Sequence, residues 1–366
     1  MNIMMKPASG SCNMRCRYCF YRDEMSRREQ AAYGMMAEET ADAVVEKALA
    51  YVGGHGDLTL GFQGGEPTLR GIGFYRHLTD TVRALKPAGV RVFYALQTNG
   101  LLLDEEWAVF LKENGFLVGL SMDGTKDLHD RNRPDATGKG THQRVLKAAA
   151  LLKAHGVPFN ILTVVNRNTA RAIDGIYTFY QKQGFAYQQY IPCLDPLGTA
   201  RGGEPWSLTA EDYGRFLIRL FDRWFKDRMA GKFLYIHYFE SLAGILAGHP
   251  GPCGMNGQCM LQTVIEADGS VYPCDFYALD AYRIGNILTD DFAVLEGRHE
   301  PFLAASAGGL DACADCRYRP LCRGGCRRDR QMADGLGPNY FCTAYRMFFD
   351  HALPGLLELT GGGRRT

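Results

Sequence analysis

Three cysteines lie within eight residues near the start of the chain, in Cys12-Asn-Met-Arg-Cys16-Arg-Tyr-Cys19. At a spacing of C-x3-C-x2-C, a loop that short can turn three thiolates toward one centre. A closed structural zinc site takes four ligands, and its signatures use paired C-x2-C units. Cubane iron–sulfur clusters are held by thiolates, usually four. The next cysteine here is Cys193, far along the chain. Three ligands on a four-iron cube leave one iron open, and an open position means chemistry rather than structure. The loop is polar and rich in arginine, which argues against three unrelated buried thiols. A zinc knuckle with a distant fourth ligand is the alternative.

Eight further cysteines follow Cys193: Cys253, Cys259, Cys274, Cys313, Cys316, Cys322, Cys326 and Cys342. Eight thiolates suffice for two fully ligated four-iron clusters, and equally for two four-thiolate zinc sites. The open N-terminal triad favours the clusters. Cys193 is left over and reads as a core thiol. Asp275 directly follows Cys274 among aromatic residues. A carboxylate placed there could act as a base with an altered pKa. An Asp that caps a turn through backbone amides is the competing reading.

Residues 1–235 alternate short apolar runs with longer amphipathic segments. Strands are expected at 4–6, 58–63, 91–97, 117–122, 159–165 and 187–191. Helices are expected at 37–51, 74–85, 104–114, 141–155 and 169–183. Their signals are acids in the first turn and glycines at the ends. Such repetition predicts parallel strands with crossover helices. Six units are too few for a closed eightfold barrel, so the expected fold is an α/β open partial barrel. Barrel strands present functional residues at their C-terminal ends. Here those ends read Gln63-Gly-Gly-Glu-Pro67, Gln97-Thr-Asn-Gly100, Ser121-Met-Asp-Gly124 and Cys193-Leu-Asp-Pro196. Each alone is an ordinary turn; four in phase, on the rim of the cysteine loop, make a site. A long helix over 207–230 starts at Ser207 or Thr209. From Cys253 onward periodicity fades, and a second domain built on metal sites rather than a large apolar core is expected. The tail from residue 361 is expected to be disordered.

The balance of 41 basic and 40 acidic residues, net +1, gives no support for a nucleic-acid partner. No window nears the roughly 18 apolar residues of a membrane span, and the N-terminus lacks a secretory apolar region. A cytoplasmic chain is expected, with reduced thiols. Clustered cysteines then imply metal or redox chemistry.

Together, the C-x3-C-x2-C loop with Tyr18 before its last cysteine, and Gly64-Gly-Glu-Pro67, resemble the radical S-adenosylmethionine superfamily. The segment Cys259-x9-Gly269-x4-Cys274, followed by C-x2-C-x5-C-x3-C, is similar to a SPASM domain. More narrowly, Cys193-Leu-Asp-Pro-Leu197, Cys253-Gly-Met-Asn-Gly257, the passage 268–277 and Cys322-Arg-Gly-Gly-Cys-Arg-Arg328 resemble anaerobic sulfatase-maturating enzymes.

That resemblance implies a partial (β/α)6 TIM-like barrel over 1–235, a small cysteine-rich SPASM domain over 236–350, and a C-terminal tail over 351–366. It implies three [4Fe-4S] clusters, with S-adenosylmethionine bound at the open iron held by Cys12, Cys16 and Cys19. The first auxiliary cluster would take Cys253, Cys259, Cys274 and Cys326; the second, Cys313, Cys316, Cys322 and Cys342. Gly65 would lie along the methionine amino group, Ser121 and Arg133 near the carboxylate and ribose, and Tyr18 and Leu194 near the adenine. A 5′-deoxyadenosyl radical would take a β-hydrogen from a Cys or Ser of a bound sulfatase, in a Cys-x-Pro-x-Arg type segment, and leave formylglycine. Asp275 would take the proton, and an auxiliary cluster the second electron. A low-potential donor such as ferredoxin or flavodoxin would supply the first electron. The rival readings are a SPASM enzyme that crosslinks or epimerises a ribosomal peptide, and a non-catalytic electron carrier with three clusters.

Overall fold

A computed structural model of the chain describes residues 1–332 and 335–361. The six expected strands form as β1 (Asn2–Met5), β2 (His55–Phe62), β3 (Gly89–Thr98), β4 (Phe116–Ser121), β5 (Phe159–Val165) and β6 (Tyr187–Pro192). Four short strands join them: β7 (Tyr235–Ile236), β8 (Thr263–Ile265), β9 (Ser270–Tyr272) and β10 (Gly285–Asn286). By its contacts the chain divides into two units.

The first unit comprises Met1–Ser121, Arg133–Phe159 and Leu261–Phe302. Its strands run β10-β9-β8-β1-β2-β3-β4. β8, β1, β2, β3 and β4 are parallel neighbours, and β9 and β10 add antiparallel pairs at the edge. Helices Glu38–Val52, Ile72–Leu85 and Glu105–Glu113 make the crossovers. Each starts and stops for a local reason. Glu38 and Glu39 sit in the first turn, where the helix dipole favours them. The Asp104 carboxylate accepts from the Trp107 N–H as an N-cap. The core between sheet and helices is aromatic: Tyr75 lies 5.0 Å from Phe62 and 5.2 Å from Trp107, ring centre to ring centre.

The second unit comprises Met122–Asn132, Asn160–Met260 and the chain from Leu303 on. β5, β6 and β7 pair in parallel. The expected helix over 169–183 is two helices, Arg167–Arg171 and Ile173–Gln183. Asn166 caps the first through the amides of Asn168 and Thr169, and Ala172 ends it. Thr209, rather than Ser207, caps Ala210–Met229, because the Ser207 hydroxyl is engaged by Asp195.

The cysteine-rich half is not short of apolar packing, contrary to expectation. Cys342–Leu359 is an 18-residue helix that buries Phe348, Phe349, Ala352 and Leu356. It packs on Ala210–Met229: Phe348 meets Phe221, and Gly214 lets the Ala344 backbone approach. Residues 351–359 of the expected tail are therefore helical, and 362–366 lie outside the described residues. Leu261–Phe302 belongs to the first unit, where β8 pairs directly with β1. Among the described residues, no helix is long and apolar enough to cross a membrane.

Candidate active site

In the first unit, β1 leads into the loop that carries Cys12, Cys16 and Cys19, and helix Phe20–Arg27 follows it. The Gly64-Gly65-Glu66 segment is zipped to the residues just before Cys12. Gly65 N–H donates to Ser9 O at 2.8 Å, and Glu66 N–H to Ser11 O at 2.8 Å. A Cβ on Gly65 would lie 2.0 Å from Ser11 O, so only glycine permits this approach. Glu66 is fully buried, and burial raises its pKa against four donors. Thr68 donates from N–H and hydroxyl, Thr98 from its hydroxyl at 2.7 Å, and Asn99 from N–H at 2.7 Å. The Asn99 amide then donates to Asn13 Oδ1 at 2.7 Å and reaches Cys12 Sγ at 3.8 Å. Two of the four expected rim segments thus support the cysteine loop directly.

Burial pushes the Cys12 thiol up to about 11. Cys12 Sγ also accepts from Met14 N–H at 3.4 Å. Burial raises Cys19, while nearby backbone N–H groups and the guanidiniums of Arg133 and Arg22 pull it back. Arg133 is buried over the Tyr18 ring, 5.4 Å from its centre, whereas Arg131 of the same turn is exposed. Ser121 ends β4 with 9% exposure. Cys12, Cys16, Cys19, Tyr18, Gly65, Ser121, Arg133, Cys274 and Asp275 all fall in the first unit. Leu194 falls in the second, beside the buried Cys193, whose Sγ donates to Leu194 O at 3.8 Å. Burial holds the Cys193 thiol well above its ordinary range.

Asp275 does not cap a turn; it sits in a buried polar nest. Its Oδ1 is 3.0 Å from Lys6 Nζ. Its Oδ2 accepts from Tyr21 OH at 2.6 Å and from Gln63 Nε2 at 3.0 Å. Lys6 is 1% exposed and also lies 3.8 Å from both Glu24 and Glu266. Arg28 donates to Glu266 at 2.7 Å and lies 3.7 Å from Glu24. Burial lowers the Lys6 pKa, but the carboxylates of Asp275, Glu24 and Glu266 outweigh it and leave the ammonium held more tightly than usual. Burial, opposed by Lys6 but reinforced by Asp275, pushes the Glu24 carboxyl up to about 8.

Lys6, Tyr21, Glu24, Arg28, Gln63 and Glu266 escape prediction as a group. Register explains how three of them meet. Met5 aligns with Phe62 and with Ile265, so Lys6, Gln63 and Glu266 are the next residues of three adjacent parallel strands. The signal is a polar residue at each strand's C-terminal end, as barrel rims require.

In the second unit the cysteines sense one another in two sets. The charges of Cys342, Cys313 and Cys316 add to burial in pushing Cys322 up to about 11. Those of Cys253 and Cys259 do the same for Cys326, which stands at about 12. Cys322 thus lies within electrostatic reach of Cys313, Cys316 and Cys342, and Cys326 within reach of Cys253 and Cys259. Sequence neighbours alone would have grouped Cys326 with Cys322. Cys259 N–H donates to Ser306 Oγ at 2.9 Å, and Cys326 Sγ accepts from Arg328 N–H at 3.4 Å. Among the described residues, no three His, Cys, Asp or Glu side chains converge as a single metal ion would require.

Residues 7–179 match the radical SAM superfamily, and 253–317 an iron–sulfur cluster-binding domain of the SPASM type. The chain is 45% identical, over 96% of its length and 94% of the relative's, to a cysteine-type anaerobic sulfatase-maturating enzyme of Clostridium novyi. It is 30% identical, over 96% and 89%, to a serine-type one of Bacteroides thetaiotaomicron. Among solved structures, native anSMEcpe with bound AdoMet and Cp18Cys peptide superposes with a TM-score of 0.93 at 42% identity, covering 99% of both chains. SuiB of Streptococcus suis, at 16% identity and a TM-score of 0.63, shares the fold.

Proposed function

The chain belongs to the anaerobic sulfatase-maturating enzymes of the radical S-adenosylmethionine superfamily, and from that premise we propose that it oxidises a sulfatase cysteine to formylglycine with Asp275 as the base. The observation that carries this reading is the nest around Asp275: a buried carboxylate with one oxygen on Lys6 and the other on Tyr21 and Gln63. A cysteine rather than a serine target is favoured by the 45% identity to a cysteine-type relative against 30% to a serine-type one.

Cys12, Cys16 and Cys19 would hold one four-iron cluster, and the N–H groups on Cys12 Sγ suit a thiolate there. Cys253, Cys259, Cys274 and Cys326 would hold a second, and Cys313, Cys316, Cys322 and Cys342 a third. The mutual repulsion of the thiols in two sets supports that division. Bound there with S-adenosylmethionine, the first cluster supplies a one-electron route to a hydrogen-atom acceptor. Gly65, Ser121, Arg133, Tyr18 and Leu194 would line S-adenosylmethionine, and the burial of Arg133 against Tyr18 favours it over Arg131. The family matches at 7–179 and 253–317 support 1–235 and 236–350 as modules by descent, with 351–366 following.

The substrate cysteine loses a β-hydrogen atom, a thiol proton and one electron, and that electron would pass to an auxiliary cluster held by the distal cysteines. Hydrolysis of the resulting thioaldehyde releases hydrogen sulfide and leaves the aldehyde. Asp275 receives the thiol proton. Tyr21 and Gln63 fix its Oδ2, and Lys6 balances its charge in a site where an unpaired carboxylate would be costly. The partners are a sulfatase chain and a low-potential one-electron donor, in the cytoplasm.

The test is anaerobic incubation of the reconstituted protein with dithionite and a Cys-x-Pro-x-Arg peptide, read by mass spectrometry for the aldehyde. Asp275→Ala should keep its iron and still release 5′-deoxyadenosine, yet make little aldehyde. An unchanged aldehyde yield would remove Asp275 as the base, and a crosslinked or epimerised peptide would remove the maturation reading.

A further inference from the structure

We propose that the outer face of the cysteine loop is the docking surface of an acidic one-electron carrier protein. This rests on the reading that Cys12, Cys16 and Cys19 hold the cluster that must be reduced.

Arg15 and Arg17 alternate with the cysteines, and Arg22 follows one turn into the next helix; all three are exposed. A second segment lies alongside. Arg15 N–H donates to Pro134 O at 2.8 Å, and Ala136 N–H to Asn13 O at 3.0 Å. Met14 and Asp135 form an antiparallel bridge there. This brings in Lys139 and Arg144, both exposed.

The neighbouring acids are occupied within their own segments. Asp135 accepts from Thr137 N–H at 2.9 Å and from Lys139 N–H at 3.0 Å, and pairs with Arg144 at 3.4 Å. Asp23 pairs with Arg27 at 2.8 Å, four residues along the same helix. Among the described residues, no carboxylate engages the side chains of Arg15, Arg17, Arg22 or Lys139. The chain as a whole carries only +1, so this rim is a local excess and not a sample of a basic protein.

Those four cations are exposed and no carboxylate among the described residues pairs with them; Arg22 alone has a charge partner nearby, the Cys19 thiol. They share eleven residues of chain with the thiols, or hydrogen-bond alongside them. An electron bound for those thiols crosses this face. A concentrated positive rim raises the encounter rate with an acidic partner and orients it. On docking, the carrier is oxidised by one electron and the N-terminal cluster is reduced by one.

The experiment compares dithionite with enzymatically reduced flavodoxin, an acidic carrier, as the electron source for aldehyde formation. It uses the full chain with its clusters reconstituted, across a range of sodium chloride. In the triple variant Arg15→Glu, Arg17→Glu, Lys139→Glu, the flavodoxin-supported kcat/KM should fall by about 10- to 100-fold at low salt. The dithionite-supported rate should stay within about twofold by the same reasoning, since a small reductant needs no docking. Salt should slow the unsubstituted protein with flavodoxin and barely affect the variant. Should the Glu set lose iron, the corresponding Gln set is read in the same way, with a smaller drop of about 3- to 10-fold expected. Equal flavodoxin-supported rates in variant and parent overturn the docking surface, as do salt-independent rates in the parent. Retention of a nucleic acid, and not flavodoxin, by the rim also overturns it. Failure of the unsubstituted protein to release 5′-deoxyadenosine with dithionite instead refutes the functional reading beneath it.

Discussion

Replacing Lys6 with Met keeps the length and burial of the side chain and removes its charge. The ammonium lies 3.0 Å from Asp275 and 3.8 Å from both Glu24 and Glu266. At an effective dielectric near 20, these attractions are about 5.5 kcal/mol for Asp275 and about 4 kcal/mol for Glu266, while Glu24, its carboxyl held up at about 8, adds its share only where the pH is high enough to ionise it. Desolvation of the ammonium and repulsion by Arg28 oppose that sum without reversing it. Breaking a buried pair by removing one partner costs about 3–5 kcal/mol, because the remaining charge is stranded. In a chain of this size that lowers the unfolding midpoint by on the order of 10 °C. The catalytic effect is separate. With Oδ1 released, the Asp275 carboxylate can turn away from Tyr21 and Gln63, and a displacement of about 1 Å at a reacting group costs about 10²-fold. Aldehyde yield should therefore fall about 10²-fold while 5′-deoxyadenosine is still released. The assay is the ratio of the two products by mass spectrometry, with iron content and thermal midpoint measured on the same samples. Lys6→Arg should recover part of the ratio. Lys6→Met with Glu266→Gln removes one carboxylate with the cation, and a coupling of about 0.5–3 kcal/mol should restore part of the midpoint. A Lys6→Met protein with the parent's product ratio and midpoint would falsify the reasoning.

Gly65→Ala places a Cβ 2.0 Å from Ser11 O, a backbone atom that cannot yield without moving the cysteine loop. The N-terminal iron should be lost with the auxiliary iron retained, as seen by iron analysis and the spectrum of the reduced protein. Cys326→Ala should remove one auxiliary cluster. Adding Cys253→Ala should cost no further cluster, whereas adding Cys316→Ala should cost a second; the reverse pattern would mean that Cys326 serves the other set. The Glu24 carboxyl, held near 8 against an ordinary 4.5, binds a proton when folded that the unfolded chain releases. Its contribution to stability is thus full below about 4.5 and is lost as pH rises to about 8, at up to about 1.4 kcal/mol per unit. Glu24→Gln should flatten the fall of the thermal midpoint across that window, and a parent midpoint that rises there would contradict the assignment.

Much of the first unit is legible because its signals are local. β2, β3 and β4 are apolar runs bounded by turn residues, and Asp104 announces its helix by capping it. β8 and β9 are three-residue strands, too short for any alternation to be counted. Their pairing depends on β1, some 260 positions away. Helix Phe20–Arg27 buries only Glu24, and Glu24 and the C-capping Arg28 are buried with their ion pairs and not by an apolar stripe. Asp275 stands out in sequence because it follows a cysteine, but its partners do not, since Lys6, Tyr21 and Gln63 gain meaning only when three parallel strands end in register. The two sets of distal thiols were visible as counts and spacings. Their membership was not, because spacing groups Cys326 with Cys322, and only the family resemblance puts it with Cys253, Cys259 and Cys274.

The pairing of β8 with β1 also has a temporal side. β1 is made well before its partner, which emerges only after some 260 more residues have left the ribosome. Until then β1 has an unpaired edge, and Lys6 lacks two of its three carboxylates, Glu266 and Asp275. Such long-range closure slows folding and leaves that edge open to wrong pairings. A nascent chain truncated before residue 261 should therefore remain sensitive to protease at its N-terminus and become resistant once residues 261–302 are supplied. Asp275, the proposed base, and the strand that seals the sheet arrive in the same stretch of chain, so the polar nest around Asp275 is assembled when the first unit closes and not before.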